Sequence, residues 1–86
     1  MSIADGARQL MVLSDMGQPK LMSSEIEEFM YGIVGQANTL LGEDHVGVDA
    51  IAGVVVNVVE ACEQLRANLG LVEFTIQNIC NQIING

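Results

Sequence analysis

Hydrophobic residues in the second half of the chain recur in alternating steps of three and four: Val48, Ile51, Val55, Val58, Cys62, Leu65, Leu69, Val72, Ile76, Ile79 and Ile83. A seven-residue repeat of this kind draws one narrow stripe along an α-helix, and left-handed supercoiling keeps such a stripe against a neighbouring helix. The pattern predicts a helix over about 45–84. Two local features argue for a break. The run Val54-Val55-Val56-Asn57-Val58-Val59 has strand-like propensity, and Asn68-Leu69-Gly70-Leu71 resembles a helix C-cap. The repeat nevertheless keeps its phase through both, whereas a true break resets the register, so a continuous or slightly bent helix is expected.

The stripe has two readings: the inner face of a helical hairpin or bundle, or a dedicated oligomerisation zipper. A self-sufficient two-stranded zipper carries paired Glu and Lys beside its seam. In this chain Ala52, Val54, Val59 and Ala61 widen the apolar face in the first half of the helix, and Arg66 and Glu73 are the only charged flankers further on. A wide apolar face needs more than one neighbour. The pattern therefore favours the bundle, with the first half of the helix between helices and the second half against fewer.

Upstream, Ser2-Ile3-Ala4-Asp5 resembles a capping box, and Ile3, Ala7, Leu10, Met11 and Ser14 follow a helical period, which predicts a first helix over about 3–16. Gly17-Gln18-Pro19 should stop it, since Pro disfavours helical geometry in the residue before it. Ser24-Glu25-Ile26-Glu27 is a second capping box, from which a helix over about 25–41 would carry Met22, Ile26, Met30, Ile33, Ala37 and Leu40 as its stripe, broadened by Phe29, Val34 and Leu41. Gly32 and Gly35 each lower its propensity by ~1 kcal/mol relative to Ala, which suits either close approach of a neighbour or tolerance at a surface position. Gly42-Glu43-Asp44-His45-Val46-Gly47 is a mid-chain turn, with Asp44 a candidate N-cap for the long helix. The expected fold is all-α: one domain over 1–86, an antiparallel helical hairpin or small bundle whose first arm is interrupted near Pro19.

Composition narrows the function. With 86 residues, half of them apolar but only two Phe, one Tyr and no Trp, the core must be aliphatic with Met as filler, in a chain near the size at which one core barely suffices. The net charge is −8, and Arg8, Lys20 and Arg66 are too scattered to form a basic patch, so nucleic acid and anionic membrane surfaces are poor partners. No run reaches the ~20 apolar residues of a membrane span, and the N-terminus lacks a basic segment followed by an apolar one. The expected location is cytoplasmic, or outside the cell without a cleaved signal peptide. Cys62 and Cys80 would stand ~27 Å apart on one straight helix, too far to pair within it. Cys62 falls on the stripe as a small apolar residue and Cys80 flanks it; an intermolecular bridge is an alternative for either.

Candidate chemistry is sparse. Glu43, Asp44, His45 and Asp49 form the nearest approach to a metal or acid–base constellation, but their spacing matches neither a calcium loop nor a paired-His helix, and a solvated acidic turn is the simpler reading. No catalytic residue, cofactor or metal site is assigned, and the chain is expected to be non-enzymatic. Ala67, Gly70, Leu71 and Phe74 lie away from the stripe and would be exposed in a simple hairpin, which marks a partner site or a surface covered by another helix.

In length, acidity, mid-chain turn and long heptad-bearing second arm, the chain resembles the small Trp-Xaa-Gly (ESX-type) helical-hairpin proteins and partner proteins of type VII secretion. Its turn carries no Trp, Tyr31-Gly32 lies inside the first arm, and Phe74-Thr75-Ile76-Gln77-Asn78 ends in Asn where the export signal of that family has an acidic residue. No functional residue carries over. The resemblance implies a secretion-system partner or adaptor; the heptad seam from Val48 to Ile83 is itself the expected surface of a homo- or heterodimer, with Val55, Val58, Cys62, Leu65, Leu69, Val72, Ile76, Ile79 and Ile83 as partner-binding residues. The alternative is a self-assembling structural subunit with a second interface at Leu71 and Phe74.

Overall fold

Ser2 starts the first helix, its hydroxyl accepting a hydrogen bond from the Asp5 amide at 3.2 Å and so satisfying one of the amides left free at a helix start. The computed structural model describes residues 2–86, in which three helices follow one another: α1 (Ile3–Leu13), α2 (Gly17–Leu41) and α3 (Val46–Asn85). The molecule is a rod of 62 × 15 × 14 Å, whose long dimension is that of a 40-residue helix at ~1.5 Å per residue. α2 packs antiparallel to α3 over the half nearer the turn, and α1 continues the same row along the far half.

The first arm departs from the expected boundaries. α1 ends at Leu13, and α2 begins at Gly17 rather than near residue 25. Pro19 falls in the first turn of α2, where its missing amide hydrogen has no intrahelical partner to lose. The Asp15 carboxylate accepts from the Gly17 amide at 2.9 Å and holds the tight corner between the helices. Ser24, expected to cap α2, instead lies within it, and Ser23 before it is turned inward.

α3 runs through both the valine-rich segment and Gly70 without a break. Its N-cap is His45 rather than Asp44: the imidazole Nδ1 accepts from the Gly47 amide at 2.9 Å. Gly42 closes α2 with φ +93° and ψ 144°, a backbone conformation that is strained for any residue with a β-carbon.

The first half of α3 does not sit between helices within one chain. Among the described residues, each level of α3 meets a single helix, α2 or α1. The interior is correspondingly thin. Its buried members are small: Ala7, Ser14, Ser23, Ala37, Val48, Val55, Val59, Cys62 and Cys80.

Candidate interaction surface

The seam that α3 buries is not the most hydrophobic one it could have used. Val48, Val55 and Cys62 are buried, and Leu69, Ile76 and Ile83 are partly buried, as one row of the repeat. The second inward row, however, is Ala52, Val59, Arg66, Glu73 and Cys80, one residue later than the apolar row expected there. The contrast is sharp at the C-terminal end, where Cys80 is 0% exposed while its neighbour Ile79 is 47% exposed. Leu65 (45%) and Val72 (42%) are likewise turned out, while Ile51 and Val58 are half-buried. Leu65 is thus no core residue of the single hairpin.

Polar pairs line the seam that is used. The Ser23 hydroxyl donates to the Cys62 carbonyl at 3.1 Å and accepts from Arg66 Nη1 at 3.1 Å. Arg66 Nη2 donates to Glu27 Oε1 at 2.7 Å, and that hydrogen bond raises the guanidinium pKa further above its usual value, against a smaller opposing effect of desolvation. About two turns along, Lys20 pairs with Glu73 at 2.6 Å, and Gln77 Nε2 donates to the Ser14 hydroxyl at 3.4 Å. Rotating α3 to bury Leu65, Val72 and Ile79 would break these partnerships. The small side chains along the seam, Ser23, Ala37 and Cys62 among them, also leave little room for larger ones.

α2 is rotated in the same sense. It turns Ser23, Glu27, Met30, Val34 and Ala37 inward and leaves Met22, Ile26, Phe29, Ile33 and Leu40 exposed. In an antiparallel pair, positions one residue before the contact row on each helix fall on the same side of the pair, because the helices turn in opposite senses when viewed along one axis. The two displaced apolar rows therefore share one flank. Two shallow grooves confirm it. One, about 590 Å³, joins Phe29, Ile33 and Leu40 of α2 to Ile51 of α3. The other, about 400 Å³, joins Ile26 to Val54, Val58 and Leu65. α1 repeats the offset, with Ala7 and Ser14 inside and Ile3, Leu10 and Leu13 exposed.

Charge is sorted to match. The displaced rows and the positions between them, Gln36, Val54, Ala61, Asn68 and Thr75, contain no charged residue. Glu25 stands at the outer edge, beside Met22 and Phe29. By helical phase, Asp49, Glu60 and Glu63 of α3 and Glu28 of α2 lie toward the opposite flank. A largely apolar strip along such an acidic rod is the kind of surface that marks an interaction site.

The other candidates contribute less. His45 is occupied as the α3 cap, and among the described residues no cluster of three or more His, Cys, Asp or Glu could hold a metal ion. Cys62 and Cys80 are both buried free thiols. Leu71 and Phe74 are exposed, and Gly70 beside them meets no neighbouring atom that would demand a missing β-carbon. Among the described residues no helix is long and apolar enough to cross a membrane. No family model, curated protein or solved structure matches the chain.

Ser23, Glu27 and Cys80 were not singled out by the sequence pattern as seam residues. The signal was present in Arg66 and Glu73, two charges seven residues apart. That is one heptad, and both found partners on the facing arm.

Proposed function

We propose that this protein is a non-enzymatic helical interaction module that binds another protein through the apolar flank formed jointly by α2 and α3. The observation that carries this reading is the displacement of Leu65, Val72 and Ile79 out of the intramolecular seam, in line with Ile26, Phe29 and Ile33 on the facing helix. Withdrawal of apolar surface from water is the dominant favourable term in most protein association, and the large side chains of this flank supply it, whereas the residues fully buried in the seam are small. Acidic charge on the opposite flank keeps the rod soluble and leaves one side for association.

A more specific role, as a partner or adaptor of a secretion system, rests on the shared hairpin plan alone. Exposure of Leu71 and Phe74 supports the second reading, in which a further interface extends the assembly.

Photo-cross-linking tests the module. A photoreactive residue at position 65, on the apolar flank, should give a protein adduct in cells that express the chain, and the same residue at position 63 should give far less. Equal yields at the two positions, or none at 65, would remove the flank as a binding surface.

A further inference from the structure

We infer that the occupant of the apolar flank is a second copy of this chain, so that two hairpins close face to face into a four-helix bundle. This rests on the reading of the flank as an interaction surface and names its partner.

Three observations select a copy over an unrelated protein. First, the displaced apolar rows carry no charge and Glu25 is the acidic residue at their edge, although the chain has a net charge of −8. A basic partner matched to the acidic protein would find most of its complement on the other side, whereas a copy meets a largely apolar strip with its like and leaves the carboxylates of both opposite flanks facing solvent. Second, the face is large enough: one side of a rod 62 Å long and 15 Å across presents at most on the order of 900 Å² per copy, which spans the ~800 Å² per partner of a stable interface. Third, the side chains most completely buried in the single hairpin are Cys80 and Ser23, so a lone hairpin has no core of large side chains. A chain of 86 residues with so thin an interior gains stability from a companion that covers its apolar flank, and another copy is a partner present wherever the chain is made.

The shape is suited to self-association. Rows led by Phe29 and Ile33 on one helix and by Val58 and Leu65 on the other stand as ridges beside the two grooves, which lie over small seam residues such as Ala37 and Cys62. A two-fold axis lying in the interface brings the ridges of one copy over the grooves of the other, the self-complementary arrangement of an isologous dimer.

Light scattering and circular dichroism across a dilution series of the full chain test the proposal, using the wild type, Leu65→Glu, and Val56→Glu as a control on the other flank. The wild type should have twice the 9.2 kDa chain mass and should lose helix as it dissociates. Leu65→Glu should weaken association by on the order of 30-fold or more, while Val56→Glu should leave it unchanged. Should Leu65→Glu fail to fold at any concentration, the photoadduct from position 65 in the otherwise native chain decides, and it should have twice the chain mass.

A helical wild-type monomer that persists at high micromolar concentration overturns the proposal, as does a dimer broken by Val56→Glu and spared by Leu65→Glu. A monomer whose position-65 adduct contains a different protein sinks the second copy while the interaction module stands. A monomer with no adduct at position 65 sinks both.

Discussion

The hydroxyl of Ser23 is held 3.1 Å from the carbonyl oxygen of Cys62, joining two helices across 39 residues of sequence. Ser23 is 1% exposed and has Arg66 on its other side. Ser23→Ala should cost about 1 kcal/mol, the usual net worth of one such hydrogen bond. Ser23→Leu should cost more, about 1–3 kcal/mol, because the helices must separate to admit the side chain. Denaturant titration at one fixed protein concentration gives both values, and an Ala variant less stable than the Leu variant would contradict close packing here.

Gly42 sets the exit angle of α2 with its positive φ. Although a β-carbon there would meet open space, the backbone conformation itself strains any L-residue, so Gly42→Ala should destabilise by about 1–3 kcal/mol. An unchanged unfolding midpoint would show that the turn relaxes to another conformation.

Gly35 is the opposite case. It is helical, exposed and unopposed within 4 Å, so close approach of a neighbour is not the reason for a glycine there. Gly35→Ala should stabilise the protein by about 0.4–1 kcal/mol through a lower backbone entropy of the unfolded chain. Destabilisation would point to a contact on that flank.

Lys20 and Glu73 approach to 2.6 Å, but both side chains retain substantial solvent access. Lys20→Met should therefore change stability by no more than about 1 kcal/mol, and any loss should shrink as salt is raised. A large, salt-independent loss would mean that the pair is more enclosed than its exposure implies.

Cys62 and Cys80 should both resist a thiol-specific reagent in the native protein and react together on unfolding, since both are buried. Rapid labelling of Cys80 without loss of helicity would show that α1 detaches from the end of α3, the helix it packs on.

Much of the fold was legible in the residues. The unbroken phase of the repeat from Val48 to Ile83 outweighed the β-branched run and Gly70, and α3 is continuous. The turn at 42–45 follows from its glycine and polar residues. The start of α2 was misread because Pro19 stops a helix from within but is harmless in its first turn, and only the Asp15 side chain on the Gly17 amide distinguishes the two cases. Ser23 and Ser24 suit a cap as well as a close-packed helix face, and nothing local separates these roles.

The sequence by itself determined that the chain is helical, where it reverses, and that its second arm is apolar over more than one stripe, because these depend on local propensity and on the 3.6-residue period. Only the tertiary structure decided which stripe closes the hairpin. That choice is a competition between two rotations of each helix one residue apart: one turns Leu65, Val72 and Ile79 inward, and the other turns Arg66, Glu73 and Cys80 inward. The second prevails in the fold, where Ser23, Glu27 and Lys20 on the facing arm stand in reach of those polar groups. The stripe richest in hydrophobic residues is thereby left on the surface.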